Sequence, residues 1–193
     1  MKTRLKTILI LFIILINYSV IHGQDQAFSK NSIKIGLGIG ASMGGATDGG
    51  GLVYIIGYQR EIWKDRLRLN PNFSIGQYSS KYVMDARDQY FNSINIETNL
   101  YYDLIKSKSF SMVIGCGGLL NNSRGIIGTG GDYMEPQTSE YFSDFYVGGY
   151  LGGGFRINSP NKRTAINIMP FNLHFGNNYF AEFYAKLELD FKF

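Results

Sequence analysis

The residues best suited to chemistry in this 193-residue chain are one histidine, His174, and its single cysteine, Cys116. The other histidine, His22, lies near the N-terminus. A histidine base needs a nucleophile within hydrogen-bond reach, but the tripeptide HFG at 174–176 has no serine close by in sequence on the same strand face. Two histidines and one cysteine are too few for a zinc ligand set. We therefore predict no catalytic residue, no metal site and no cofactor, and we expect His174 to be a polar residue near a loop.

A glycine-rich stretch, GLGIGASMGG at 36–45, offers a second chemical possibility, the phosphate-binding loop of a nucleotide site. Such a loop must lead into a helix, whereas the residues that follow here have the pattern of a loop and a second strand. Cys116, within VIGCGG, falls in the middle of another strand, where an unpaired cysteine packs as a small apolar residue. Neither feature indicates a cofactor.

The dominant pattern of the chain is the alternation of apolar and polar residues with period two, which indicates β-strands. In the C-terminal sequence FAEFYAKLELDFKF, alternate residues form an apolar row made up of Phe183, Leu187, Leu189, Phe191 and Phe193. The pattern predicts eight strands, at 32–43, 51–63, 67–79, 91–105, 110–122, 143–157, 164–175 and 180–193. All of them exceed the roughly 9–11 residues that a tilted transmembrane strand requires.

The seventh predicted strand changes phase at Pro170, because Ile168 before it and Phe171 after it belong to opposite registers. A proline inside a strand is confined to edges and bulges, and a bulge adds the one residue that reverses the alternation. We therefore predict a β-bulge at residues 169–170.

The connections between the predicted strands alternate in length. Four are long or rich in glycine, at 44–50, 80–90, 123–142 and 176–179, and three are short and polar, at 63–66, 106–109 and 158–163. This asymmetry is typical of barrels with tight periplasmic turns and long extracellular loops. The predicted fold is an all-β, eight-stranded antiparallel up-and-down transmembrane β-barrel, or a ten-stranded barrel if 123–142 contains a hairpin.

The polar rows of the strands carry charges of both signs. A charged side chain that faces lipid at mid-bilayer costs roughly 2–4 kcal/mol for Arg or Lys. With the apolar rows in lipid, the charges facing the lumen are Lys34, Glu97, Asp103, Arg156, Lys186, Glu188, Asp190 and Lys192, with Arg68 beside them. They form either the selectivity ring of a pore or an ion-paired plug, and the narrow interior of eight strands favours the plug. The opposite orientation would give a secreted lipocalin-like barrel that binds an apolar ligand.

Aromatic residues near the predicted strand ends suggest two girdles at the lipid interfaces. At the short-turn end these residues are Trp63, Tyr101, Tyr102, Phe155 and Phe193. At the long-loop end they are Tyr78, Tyr82, Tyr90, Tyr141, Phe142, Phe175, Tyr179 and Phe180.

The N-terminus has the plan of a secretory signal peptide, with Lys2, Arg4 and Lys6 ahead of an unbroken apolar run at 8–16. We predict a leader at 1–23, a short N-terminal segment at 24–31 and the barrel at 32–193. The leader holds three of the 19 basic residues, so 16 basic residues face 15 acidic ones in the remainder. Because that remainder is nearly neutral, we predict no nucleic-acid partner.

Leader, strand number, loop asymmetry and aromatic C-terminus together resemble the small eight-stranded outer-membrane barrels of Gram-negative bacteria, of the OmpX and OmpA transmembrane-domain type. The resemblance covers 32–193 as a pattern rather than as a sequence motif. It implies a non-enzymatic protein in contact with outer-membrane lipid, with a structural, adhesion or surface-interaction role through loops 80–90 and 123–142. It also implies that the barrel-assembly machinery recognises the last strand through Phe183, Leu187, Leu189, Phe191 and Phe193.

Two other functions are known on this type of barrel, a narrow pore and a lipid A-modifying enzyme. The lipid A deacylases use a histidine, a nearby serine and an acid close to the outer rim, in an HxS pattern. The chain departs from that pattern, because Gly176 stands where the serine would be. A lipid A-modifying enzyme therefore stays an alternative, but the serine nucleophile of the HxS pattern is not present at the matching position.

Overall fold

The computed structural model describes residues 30–44, 48–63, 66–79, 90–107, 109–128, 139–161 and 163–193. The predicted leader at 1–23 lies outside these ranges. The strands are β1 (Asn31–Met43), β2 (Gly49–Trp63), β3 (Leu67–Ser79), β4 (Tyr90–Lys106), β5 (Phe110–Gly128), β6 (Ser139–Asn158), β7 (Thr164–Gly176) and β8 (Ala181–Lys192). No helix in this part of the chain is long and apolar enough to cross a membrane.

The sheet closes on itself. Each strand pairs antiparallel with its neighbour in sequence, and β1 also pairs with β8, from Ser32 opposite Lys192 to Met43 opposite Ala181. Closure satisfies peptide groups that would otherwise lie at a sheet edge, which matters most in lipid because no water is available there. The prediction of an all-β, eight-stranded antiparallel barrel is confirmed.

The predicted loop at 123–142 is wrong in its extent. β5 continues to Gly128 and β6 begins at Ser139, and these two residues lie opposite each other at the end of one continuous ladder. Residues 123–128 prolong β5 and residues 139–142 prolong β6, so they add no further strand pair among the described residues. The ten-stranded alternative is therefore wrong. Residues 129–138 lie outside the described ranges, as do residues 80–89 of the other predicted long loop.

β7 contains a β-bulge, one residue later than the predicted 169–170. Its register against β8 shifts between Met169 and Asn172, and Pro170 and Phe171 both point outward. Before the bulge the odd-numbered side chains of β7 point inward, and after it the even-numbered ones do. One consequence is that His174 points into the barrel.

The outward side chains are mainly apolar and the inward ones mainly polar or aromatic. Large apolar residues are exposed on the outer face of every strand, among them Ile39 at 66% and Leu187 at 51%. The inward exceptions include Val53 and Ile55 of β2, which explains why β2 shows apolar residues in both of its rows. The described interior therefore has charged, amide and aromatic walls, unlike the apolar calyx of the lipocalin-like alternative.

Candidate functional site

The candidate site is the barrel interior. Seven of the predicted lumen charges point inward and are at most 4% exposed: Lys34, Glu97, Asp103, Arg156, Lys186, Glu188 and Asp190. Arg68 lies with them at 3%. Lys192 is only partly buried and pairs with Glu61 at 2.8 Å. Sequence reasoning missed two further ionisable groups, Glu182 and His174, which are fully buried. Extending the polar row of β8 one step past Tyr184 would have found Glu182, and applying the predicted phase change to the end of β7 would have found His174.

Near the middle of the barrel, one carboxylate joins two ammonium groups. Nζ of Lys34 lies 3.4 Å from Oε2 of Glu188, and Nζ of Lys186 lies 3.0 Å from Oε1 of the same carboxylate. Lys186 also donates to the hydroxyl of Tyr101 at 3.3 Å and lies 5.5 Å from the centre of the Tyr150 ring. A buried charge without a partner would cost several kcal/mol, so these contacts are what make the interior charges tolerable.

Closer to the short turns, two guanidinium groups pair with carboxylates. Arg68 of β3 and Asp103 of β4 are 2.6 Å apart, on adjacent strands. Arg156 of β6 reaches past β7 to Asp190 of β8, also at 2.6 Å. Gln59 of β2 donates to the same Asp190 carboxylate at 3.0 Å. Arg156 also donates to Oε1 of Gln59 at 3.4 Å, so this group of contacts joins β6, β8 and β2.

In the long-loop half, His174 lies between two carboxylates. Its Nδ1 is 2.9 Å from Oε2 of Glu182, and its Nε2 is 3.3 Å from Oε1 of Glu97. The hydroxyl of Tyr184 is 3.1 Å from the same Nε2. The expectation that His174 is a polar residue near a loop is wrong, because the bulge in β7 turns its side chain into the barrel, where it is fully buried.

A network of neutral side chains surrounds this histidine. Ser93 donates to Oε1 of Glu182, and Asn95 donates to Oε2 at 3.1 Å. Asn121 in turn donates to Ser93 at 2.6 Å. The serine therefore serves the carboxylate rather than the imidazole, whose two nitrogens are already occupied. This arrangement orients a buried histidine and does not assemble a nucleophile with its base.

Apolar and aromatic side chains fill the rest of the long-loop half. One cluster, with Phe142 packed against it, consists of Val53, Ile55, Tyr78, Phe91 and Tyr184. A second consists of Leu119, Tyr146 and Phe180, in which the rings of Tyr146 and Phe180 stack with centroids 4.6 Å apart. These clusters cover the polar network from the side of the long loops.

The predicted girdles are therefore wrong in part, because the pleat turns some of their members inward. Tyr78, Tyr101 and Phe180 are buried in the interior, and Phe142 packs against an interior cluster. The girdle residues on the exposed surface are Trp63, Tyr90, Tyr141, Phe155, Phe175, Tyr179 and Phe193. Tyr102 is half-buried, and Tyr82 lies outside the described residues.

Large side chains crowd the described part of the lumen. Glycines on the wall leave space for large rings: a Cβ placed on Gly115 would lie 2.3 Å from the Tyr101 ring, and one on Gly40 would lie 2.4 Å from Cβ of Tyr184. A cavity of about 10 Å³ remains beside Lys34 and Glu188. A void of that size holds at most about one water molecule, so it is not a continuous aqueous path.

No protein-family model and no curated protein sequence matches the chain. Several solved structures resemble it, among them the following three. Neisserial surface protein A has 14% identity over 87% of this chain and 100% of its own, with a TM-score of 0.60. The attachment invasion locus protein Ail of Yersinia pestis has 12% identity over 86% and 100%, with a TM-score of 0.55. The N-terminal β-barrel domain of Pseudomonas aeruginosa OprF has 14% identity over 86% and 99%, with a TM-score of 0.52.

The matches span nearly the whole of each compared chain and the same closed set of strands. The chain has the fold of the small outer-membrane β-barrels. At these identities the likeness concerns the fold, and it agrees with the resemblance read from the sequence.

In an outer-membrane barrel of this kind, the outward row of each strand faces acyl chains. The row that was predicted as an assembly signal lies on that outer face. Phe183, Leu187, Leu189 and Phe193 are exposed, at 48%, 51%, 39% and 63%, and Phe191 is partly exposed. Cys116 also lies on the outer face of β5. The outer surface thus presents a belt of apolar side chains around the whole barrel.

Proposed function

We propose that this protein is a non-enzymatic integral outer-membrane barrel whose long-loop end interacts with partners at the cell surface. The observation that carries the proposal is the inverted polarity, with ion pairs inside and apolar rows outside. In water, a contiguous apolar belt would drive association. In a bilayer the belt meets acyl chains, and the closed sheet satisfies the peptide groups.

The β5–β6 hairpin supports a role at the surface. Pairing between β6 and β7 begins at Gly148 opposite Gly176, so the first nine residues of β6 extend past the end of β7. On this extension Tyr141 is 69% exposed and Phe145 is 58% exposed. Aromatic side chains held on a rigid element lose little entropy on binding and are enriched at protein interfaces. The extension is therefore well suited to contact another protein.

The charge at this end favours a protein partner over a sulfated polyanion. Ail has been crystallised with the heparin analogue sucrose octasulfate. In the present chain, the described charged residues of the long-loop end outside the lumen are Asp48, Glu140 and Asp144 against Arg124. An acidic surface repels a sulfated ligand, so the property reported for Ail does not carry over on charge grounds.

Insertion into the membrane requires an assembly step, and we propose that the last strand carries the recognition signal for it. Its outward apolar row ends at Phe193, and the barrel-assembly machinery is the proposed partner of that row. Deletion of Phe193 should lower the amount of assembled barrel in cells while leaving spontaneous refolding in detergent unchanged. Equal assembly of both proteins in cells would remove this assignment.

The membrane proposal is tested by fractionation and by gel migration. The protein should sediment with outer membranes, resist extraction by carbonate, and migrate differently on a gel before and after boiling. Recovery in the soluble periplasmic fraction without detergent would contradict the proposal. The surface role is tested by comparing adherence to protein-coated surfaces of cells that express the wild type or a Tyr141→Ser variant. Unchanged adherence would argue against a role for the extension.

A further inference from the structure

The first residues of β6 form a sheet edge at the long-loop end of the barrel. β5 supports them on one side, beginning with Gly128 opposite Ser139, whereas pairing with β7 on the other side begins only at Gly148, opposite Gly176. In the described part of the chain, no strand therefore lies beside residues 139–146 on that second side. We call this side of the segment the β6 edge.

Two hydrogen bonds show which backbone groups point to the β6 edge. The amide of Val147 donates to Oδ1 of Asn177 at 2.9 Å, and the carbonyl of Val147 accepts from the amide of Asn177 at 3.2 Å. Both backbone groups of Val147 thus point to the side of β7. Successive residues of a strand direct these groups to alternate sides, and the β5–β6 ladder is continuous over all its pairs. The N–H and C=O groups of the odd-numbered residues from Ser139 to Phe145 therefore point to the β6 edge, and those of the even-numbered residues point to β5.

The sequence of this segment leaves the edge able to accept another strand. Natural proteins commonly block an exposed edge with proline, with lysine or with a β-bulge. The segment SEYFSDFY at 139–146 contains neither proline nor lysine, and each of its residues has one partner in β5. The N–H and C=O groups of such an edge can form a ladder with an extended segment of another chain.

The two faces of the segment define the chemistry of that partner. Tyr141 and Phe145 share the outer face and are 69% and 58% exposed. Glu140 and Asp144 share the opposite face and are also exposed. Side chains directly opposite each other in paired strands interact, and opposite charges there are favourable. The edge therefore fits a strand that presents apolar residues on one face and basic residues on the other.

The carboxylates on this face keep their charge available. The residues opposite them in β5, Ile127 and Ser123, are uncharged, and the basic residue between those two that carries a charge, Arg124, lies on the other face. The hydroxyl of Tyr146 donates to the carboxylate of Asp144 at 3.3 Å, which leaves the charge in place. A second copy of this chain would bring further carboxylates to the same face, and like charges across paired strands repel each other.

We propose that the β6 edge binds, as an added antiparallel strand, an extended segment of another protein in which basic residues alternate with apolar ones. The inference rests on the proposed function, because the edge meets such partners only if the long-loop end lies at the cell surface. In this arrangement the apolar residues of the partner exchange backbone hydrogen bonds with Tyr141, Ser143 and Phe145. The basic residues of the partner then face Glu140 and Asp144, and their own N–H groups point away from the barrel.

The probe is a synthetic peptide that alternates lysine with valine. The full chain is refolded in phosphatidylcholine nanodiscs, and binding is followed by the fluorescence anisotropy of the labelled peptide, with empty nanodiscs as the background. We expect saturable binding that weakens with added salt, because salt screens exposed charges. Methylation of the valine N–H groups should abolish binding, since these groups face β6. Methylation of the lysine N–H groups should leave binding in place.

Ser143 separates a backbone contact from a side-chain contact. Ser143→Pro removes one N–H group from the β6 edge, and proline is tolerated in an edge strand where that group points outward. We expect this variant to fold and its affinity for the peptide to fall about tenfold, the effect of losing roughly one backbone hydrogen bond. The matched control Ser143→Ala keeps the N–H group and should bind as the wild type does. The variant Glu140→Lys, Asp144→Lys should instead prefer a peptide that alternates glutamate with valine.

Absence of saturable binding to wild-type protein that shows the folded gel migration would overturn the inference and leave the proposed function standing. Equal binding of the two methylated peptides, or of the lysine and glutamate peptides, would also overturn it. Self-association of the barrels that Ser143→Pro abolishes would identify a second copy as the occupant and overturn it as well. The methylated peptides test the inference on the wild type alone if the proline variant does not fold. Failure of the wild type to insert into nanodiscs would overturn the proposed function, and this inference with it.

Discussion

Arg68 and Asp103 pair at 2.6 Å inside the barrel, and both side chains are at most 3% exposed. Asp103→Asn would leave the guanidinium buried beside a neutral amide. Breaking a buried ion pair on one side costs about 3–5 kcal/mol, because the remaining charge has no compensating partner. We expect a loss of that size in the free energy of unfolding, measured by urea titration of the refolded barrel in lipid vesicles.

The double variant Arg68→Met, Asp103→Leu is the matched control, because it removes both charges and keeps apolar volume. Replacing both partners of a buried pair is often close to neutral. We therefore expect the double variant to be more stable than Asp103→Asn. If Asp103→Asn instead retains wild-type stability, water reaches the Arg68 guanidinium, and the pair is not buried as the structure shows.

Leu187 tests the outer face at the middle of the barrel wall. It lies opposite Leu37 of β1 and Ile168 of β7, and its side chain is 51% exposed. Leu187→Arg would place a guanidinium among acyl chains at a cost of roughly 2–4 kcal/mol if this position is at mid-bilayer. The measurement is again urea unfolding in vesicles. Ser107→Arg, at an exposed turn, should leave stability unchanged, and equal stability of both variants would contradict the proposed lipid-facing surface.

At the scale of the element, the orientation of the side chains in the second half of β7 depends on the one extra residue of its bulge. The bulge at Pro170 and Phe171 makes Asn172 and His174 point inward. Deleting Pro170 would restore simple alternation and turn every later side chain of the strand to the other face. His174 would then face lipid and Glu97 and Glu182 would lose their partner. We expect no folded band on an unboiled gel.

Pro170→Ala keeps the residue count and is the matched control. The proline points outward and is exposed, so the substitution removes no interior contact. We expect this variant to fold and to show wild-type gel migration. A deletion variant that folds as well as the alanine variant would mean that the strand can shift its register without harm.

The same strand shows what could be read from the sequence and what could not. Alternation predicted β8 and placed Lys186 and Glu188 in one row, because a two-residue period puts alternate side chains on the same face. The prediction that this row faces inward came from the cost of a charge in lipid. The bulge was also predictable, since a proline marked it. The inward position of His174 followed from two predictions taken together, the strand at 164–175 and the bulge within it, because the bulge turns the later even-numbered residues inward. The expectation of a polar residue near a loop was made without applying that phase change.

The length of the β5–β6 hairpin could not be predicted for a different physical reason. Alternation arises where one face of a strand meets lipid and the other meets a packed lumen. On the first residues of β6, from Ser139 to Phe145, almost every side chain is exposed on either face. Because both faces of the strand have the same exposed environment there, the sequence shows no alternation of apolar and polar residues. From the sequence alone, this part of the strand therefore looks like a loop.

At the scale of the whole molecule, the described interior favours a plug over a pore. The hydroxyls of Tyr101 on β4 and Tyr150 on β6 meet at 2.8 Å across a lumen that Lys34, Lys186 and Glu188 also occupy. The void of about 10 Å³ beside them is too small for a chain of waters. Ion flow through the barrel would therefore require these side chains to move aside together, against ion pairs that are costly to separate in a dry interior.

We expect no regular conductance steps when the refolded protein is inserted into planar lipid bilayers. Removing the two rings in the variant Tyr101→Ala, Tyr150→Ala should open a gap at this level and produce measurable leak currents, while Tyr141→Ala, on the outer surface, should not. Gel migration before and after boiling confirms that each variant is folded before it is measured. Steady unitary currents from the wild-type barrel would show that the ion pairs yield under voltage, and the interior would then be a selectivity filter rather than a plug.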